Sequence, residues 1–169
     1  MAEDTFDPIA ILQALDRHGV TYIVIGALGR VIHGSDEVTD GVDVVPSTRE
    51  ENLRRLGLAL EALNARRSDG KPPVLDRDLS RRPVLELETD AGELQIVPEP
   101  AGTRGYDDLR RDASREPLGR GLRPRVASLG DHSRMLAALG RDQDRELLPT
   151  IRRLIELEHE LTRRRVIER

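Results

Sequence analysis

The sequence has 169 residues, no cysteine, 2% aromatic side chains and a formal net charge of -4 at pH 7. The missing cysteine excludes disulfides, thiolate zinc sites and thiol catalysis, and the acidic balance excludes nucleic-acid binding through net charge, leaving local arginine clusters as the route to it. Phe6, Tyr22 and Tyr106 are the whole aromatic supply, too few for a base-stacking platform.

No apolar run approaches the length of a membrane span, and the start "MAEDTFDPIA" lacks the basic-then-apolar order of a secretory signal. A cytoplasmic protein with no membrane partner is expected. Asp7 followed by Pro8 reads as a helix start, and Ile9, Ile11, Leu12 and Leu15 carry helical spacing up to Gly19. "VTYIVIG" reads as a buried strand, "ALGRVIHG" as a short helix ending at Gly34, and "VDVVP" (42 to 46) as a second strand. Ser47 and Glu50 have capping-box spacing for a helix whose stripe is Leu53, Leu56, Leu60 and Leu63. The polar stretch 66 to 82 reads as a loop.

"PVLELETDAGELQIVPEP" alternates on both sides of Asp90-Ala91-Gly92, which predicts a hairpin. A short helix around "YDDLRRDA" precedes a second hairpin turning at Gly119 to Gly121. Ser128 with Asp131 caps a helix through Leu139 that Gly140 closes, and a last helix runs from about Arg141 with Ile151, Leu154, Ile155, Leu157 and Leu161 as its apolar stripe. The order predicts an α/β (α+β) fold in one domain over 1 to 169, a small mixed sheet covered by helices, with C-terminal helices from about 128 to 167.

A strand, a glycine turn and a helix N-terminus make an anion site, because free amides and the helix dipole point at it. "VIGALGRVIHG" has that form, but Leu28 and Val31 stand where the second and third glycines of a dinucleotide fingerprint would fall after Gly26. "IGALGRVIHGSDEVTDGVDVVP" instead resembles the nucleotidyltransferase superfamily of polymerase beta type, and is most similar to the bacterial minimal nucleotidyltransferases, many of them toxin-like or toxin-antitoxin modules. The resemblance extends through "STREENLRRLGLALEALNAR", "PAGTRGYDDLRRDA" and "RVASLGDHSRMLAALGRDQDRELLPTIRRL". It implies a nucleotidyltransferase fold, two magnesium ions held by converging carboxylates, and a nucleotide held at Gly26, Ala27 and Arg30.

Magnesium demands hard oxygen ligands in near-octahedral array. Residues two apart in a strand share a face, roughly 6.6 Å apart, so the implied acidic pair maps to positions 41 and 43, here Gly41 and Asp43. The third carboxylate maps to Gln95, a triphosphate-steadying lysine to Leu136, and a phosphate-contacting serine or glycine to Ala27. Asp43 is the expected remaining metal ligand, with Asp40 or Glu93 as its candidate partners. The strand pleat sends Asp40 to the opposite face unless a bulge intervenes, whereas Glu93 shares the face of Gln95.

These departures predict a pseudoenzyme, a binding or regulatory module for a nucleoside triphosphate or an RNA end. One alternative is a divergent active enzyme that moves a nucleoside monophosphate from a triphosphate to RNA or protein with magnesium. Another is a structural homodimer, or a complex with a protein partner, using the last helix. Several residues also have plain readings: Asp43 as a strand end or an arginine partner, His33 as a helix-end residue, and His132 and His159 as solvent-facing. Arg163 to Arg165 suit a helix C-terminus before they suggest a phosphate patch, and "RGLRPR" (120 to 125) is the better nucleic-acid candidate in a chain rich in arginine.

Overall fold

The computed structural model describes residues 5–168; Met1–Asp4, the first part of the N-terminal stretch, and Arg169 lie outside the described residues. Helix α1 (Pro8–Arg17) begins as expected, with the Asp7 carboxylate accepting the Ala10 amide at 3.0 Å. Strand β1 (Tyr22–Ile25) runs directly into helix α2 (Gly26–Ile32), and β2 (Gly41–Pro46) follows. Helix α3 (Glu50–Ala62) then crosses the sheet, burying Leu56 and Leu60 and half-burying Leu53.

Two sequence expectations fail here. The Ser47–Glu50 capping box is absent: Arg49 holds the cap position with no side-chain cap bond. Ser47 is drawn back toward β1, its amide donating to the Thr21 carbonyl at 3.1 Å and its own carbonyl accepting from Asn52 Nδ2 at 2.7 Å. Asn52 is buried because it also clasps both backbone groups of Thr21. The stretch read as a loop contains helix α4 (Leu75–Arg81), started by Asp78, whose carboxylate accepts the Val74 amide and pairs with Arg67. Arg66 in that stretch also bridges to Glu88.

The remaining elements are β3 (Leu85–Thr89), β4 (Gly92–Ile96), α5 (Tyr106–Leu109), β5 (Ser114–Arg115), β6 (Arg125–Val126), α6 (Leu129–Leu139) and α7 (Asp142–Ile167). Ser128 Oγ accepts the Asp131 amide at 3.0 Å, and Gly140 closes α6 in the left-handed conformation, both as expected. The two hairpins also form where the alternation and the glycines place them.

The six strands make one mixed sheet in the order β3-β4-β2-β1-β6-β5, with β2 parallel to β4 and β1 parallel to β6. One face is apolar throughout: Val24, Val42, Val44, Leu85, Leu87, Leu94 and Ile96 pack there with the stripes of α1 and α3. The opposite face is divided. Ile23, Ile25 and Val45 pack under α5 and α6 with Leu109 and Met135, whereas Glu86, Glu88 and Glu93 of the β3–β4 half stand exposed. Among the described residues, no helix is long and apolar enough to cross a membrane.

Candidate active site

Alternation along β2 buries Val42 and Val44 in the core and turns Gly41 and Asp43 to the divided face. The parallel ladder sets Gly41 opposite Glu93 and Asp43 opposite Gln95. The mapped positions 41, 43 and 95 are thus brought together on one face, at the border between its apolar and acidic halves. One of the three is an acid.

Asp43 sits against the start of α2. Gly26 adopts φ +68°, and a Cβ there would overlap Asp43 Oδ2 and lie 2.9 Å from its Cγ. Glycine is therefore required twice over at the turn, for the backbone conformation and for the carboxylate that lies against it. Burial is the main cause that pushes the Asp43 carboxyl up to about 6; the charge of Arg30 opposes this, and Asp40 and Glu93 add to it. The ionised carboxylate is accordingly the costly form, the condition a nearby cation would relieve.

Glu93 has a place that sequence spacing did not reveal. A Cβ at position 41 would meet Glu93 Cβ at 3.3 Å and Oε2 at 3.7 Å, so the Glu93 side chain lies over the space that a side chain at 41 would enter. Burial, then the neighbouring Glu88, Asp40 and Glu86, raise its carboxyl above the ordinary value. Asp40 precedes the strand, because β2 begins at Gly41. The pleat argument that sends Asp40 to the opposite face therefore does not apply, and its charge acts on both Asp43 and Glu93.

Arg30 lies on α2, and its guanidinium is held in a two-bond pair with Glu37, Nε at 2.8 Å and Nη2 at 2.7 Å. Ser35 donates to the same carboxylate at 2.7 Å. Burial alone would raise Glu37, but these hydrogen bonds hold it below its usual range. Arg30 Nε and Nη2 are thereby committed to Glu37, while its charge also acts on Asp43. Ala27 offers no side-chain donor. Leu136 lies apart from the sheet face, packed with Leu129 and Ile151 between α6 and α7.

His132 corrects the sequence reading most clearly. It is 1% exposed, not solvent-facing, and its Nε2 has no hydrogen-bond partner. The ring packs on α2 where Gly29 leaves room, since a Cβ at Gly29 would come within 2.9 Å of its Cε1 and Nε2. His33 meets it edge-on at 6.1 Å between centroids, and His33 Nε2 donates to the Ala127 carbonyl at 2.8 Å. His33 is the C-cap of α2, as its position suggests, and also ties that helix to the residue that follows β6. His159 is exposed, as read.

A two-magnesium centre needs several carboxylates aimed at one point. The donor set here is Asp43 with a neutral amide at 95 and no side chain at 41, and among the described residues no group of three or more histidines or acids is arranged to hold a metal ion. The residues present do not fit that centre. Glu93 and Asp40 lie near enough to act on Asp43 electrostatically, and the charge of Arg30 opposes them.

The mixed sheet, the glycine turn and the acid-bearing second strand make up a fold that the chain shares with solved nucleotidyltransferases. Among solved structures the chain is similar to a lincosamide antibiotic adenylyltransferase, LnuA, solved with lincomycin, at 16% identity and TM-score 0.58, covering 89% of this chain and 99% of that one. It is also similar to TM1012 of Thermotoga maritima, provisionally assigned as a nucleotidyltransferase, at 18% identity and TM-score 0.52, covering 83% and 86%. No family model matches the sequence, and no curated protein does. The shared feature is therefore the fold.

Proposed function

We propose that this protein is a nucleotidyltransferase-fold module that has given up nucleotidyl transfer and binds a nucleotide or an RNA end in a regulatory role. The observation that carries this is the register Gly41–Glu93 and Asp43–Gln95, which leaves one aspartate where the chemistry needs three converging acids. The glycine turn and the start of α2 are kept, with the Asp43 carboxylate lying against them. A toxin-antitoxin type of role, with a protein partner, is the form that the resemblance to minimal nucleotidyltransferases favours.

The second reading is a divergent transferase that moves a nucleoside monophosphate to RNA or protein. It is favoured by the Glu93 side chain over position 41 and by the charge of Asp40 on both Asp43 and Glu93. It predicts that Asp43→Ala abolishes transfer; the first reading predicts no transfer to lose.

The test restores the mapped acids. The Gly41→Asp/Gln95→Asp double variant places new carboxylates beside Glu93 and Asp43, so without magnesium it is expected to lose about 2 kcal/mol of stability through like-charge repulsion and burial. Magnesium is expected to bind the variant and return that stability, raising its midpoint of unfolding in proportion to occupancy. A variant that folds and does not bind magnesium contradicts the mapping of positions 41, 43 and 95.

A further inference from the structure

The final helix is longer than the domain it packs on. At 26 residues α7 spans about 39 Å. Its contacts with the domain end with Ile151, buried, and Leu154 and Ile155, half-buried. Every residue from 156 to 168 is exposed. The apolar stripe read from the sequence is therefore only partly core: Leu157 is 43% and Leu161 59% exposed.

Leu154, Leu157 and Leu161 have the spacing of successive a, d and a positions in a heptad. With that assignment Arg153 and Glu160 occupy g positions, and Glu158 and Arg165 occupy e positions. None of these four forms an ion pair within its own chain, among the described residues. In a parallel two-stranded pairing each g residue faces the e residue of the next heptad across the seam. Arg153 then faces Glu158 of a second copy, and Glu160 faces its Arg165: both pairs are of opposite charge.

The antiparallel arrangement that stacks Leu157 on Leu161 is disfavoured by the same charges. It sets Glu160 against Glu160 and Glu158 against Glu158. In the parallel arrangement the seam stops at Arg164, a charged d position, so the pairing runs from the half-buried Leu154, at the edge of the domain, along the exposed arm.

We propose that the outer part of α7, from the half-buried Leu154 through the exposed arm to Arg165, binds a second copy of this chain as a short parallel coiled coil. The leucine seam supplies the apolar contact, and the Arg153–Glu158 and Glu160–Arg165 pairs set the direction. This assembly is independent of the chemistry at Asp43.

Sedimentation equilibrium of the whole protein at tens of micromolar is expected to show a dimer of the 18.9 kDa chain. Leu161→Glu is expected to give a monomer with unchanged unfolding, since Leu161 is 59% exposed and lies outside the core clusters. Glu160→Arg is expected to weaken the dimer about tenfold or more, and Glu160→Arg combined with Arg165→Glu to restore it. Position 168 is the next a position, and the chain has no cysteine, so a Glu168→Cys variant carries one spin label per chain. The parallel pair holds the two labels close together, whereas the antiparallel pair separates the attachment points by about 27 Å along the axis. A monomer at every concentration, a dimer indifferent to Leu161→Glu, or distant labels would overturn the proposal.

Discussion

Gly26→Ala is expected to destabilise the protein by about 3 kcal/mol, the sum of a left-handed backbone for alanine and a steric overlap that a packed strand cannot relieve. The overlap reaches past the flexible end of the side chain: the new Cβ would lie 2.9 Å from Asp43 Cγ and 3.2 Å from its Cβ. Rotating the carboxylate away is therefore insufficient, and β2 or the start of α2 must move. Urea unfolding should show a lower midpoint at an unchanged slope. A double-mutant cycle with Asp43→Ala separates the two contributions. The steric part should largely vanish in that background, and about 1 kcal/mol from the backbone should remain. If the two substitutions add independently, Asp43 does not lie against the turn.

The second large effect is at His132. Burial, then the charges of Arg30 and His33, hold its ring neutral with a pKa lowered to about 3, and only Glu37 acts in the other direction. In the unfolded chain the ring takes a proton near its ordinary value of 6.5. The unfolded state therefore binds a proton that the native state refuses, and stability falls as the pH drops from about 6.5 toward about 3. The loss expected from this group is about 3 kcal/mol between pH 7 and pH 4. His132→Met, of similar bulk and without a titrating group, should flatten this part of the pH profile by that amount.

Asp43 contributes in the opposite sense. Its folded value is raised to about 6 from 3.8, so its contribution is fully present below the unfolded value and is lost as the pH rises through about 6. Comparing wild type with His132→Met at each pH cancels this term and isolates the histidine. Parallel profiles for the two proteins would show that water reaches the ring in the native state.

The elements that were legible in the sequence are those whose signals are local. Asp7 with Pro8, Ser128 with Gly140, and the alternation around Asp90-Ala91-Gly92 each act within a few residues, and each forms as read. Ser47 does not cap α3 because its backbone is held elsewhere, its amide by the Thr21 carbonyl across the sheet and its carbonyl by the Asn52 side chain. Helix α4 is hidden by its polarity: Asp78 binds Val74 and Arg67, and the apolar contact is only Leu75 and Leu79 half-buried against the core.

The site divides in the same way. Period two was enough to place Gly41 and Asp43 on one face, and Gln95 on the matching face of its own strand. That Glu93 lies over Gly41 needs the register between β2 and β4, which no single strand encodes. His132 was misread because the space that buries it is made by Gly29 on another helix. A histidine near the polar start of a helix otherwise resembles any surface residue.

The acids remaining around Asp43 are proposed not to build a working magnesium site. Titration calorimetry of each of the four ribonucleoside triphosphates into the wild-type protein, with and without magnesium, tests it directly. Binding is expected to be the same in both conditions. Binding that appears only with magnesium would contradict this, and would make Asp43, Asp40 and Glu93 the ligands of a divergent, working enzyme.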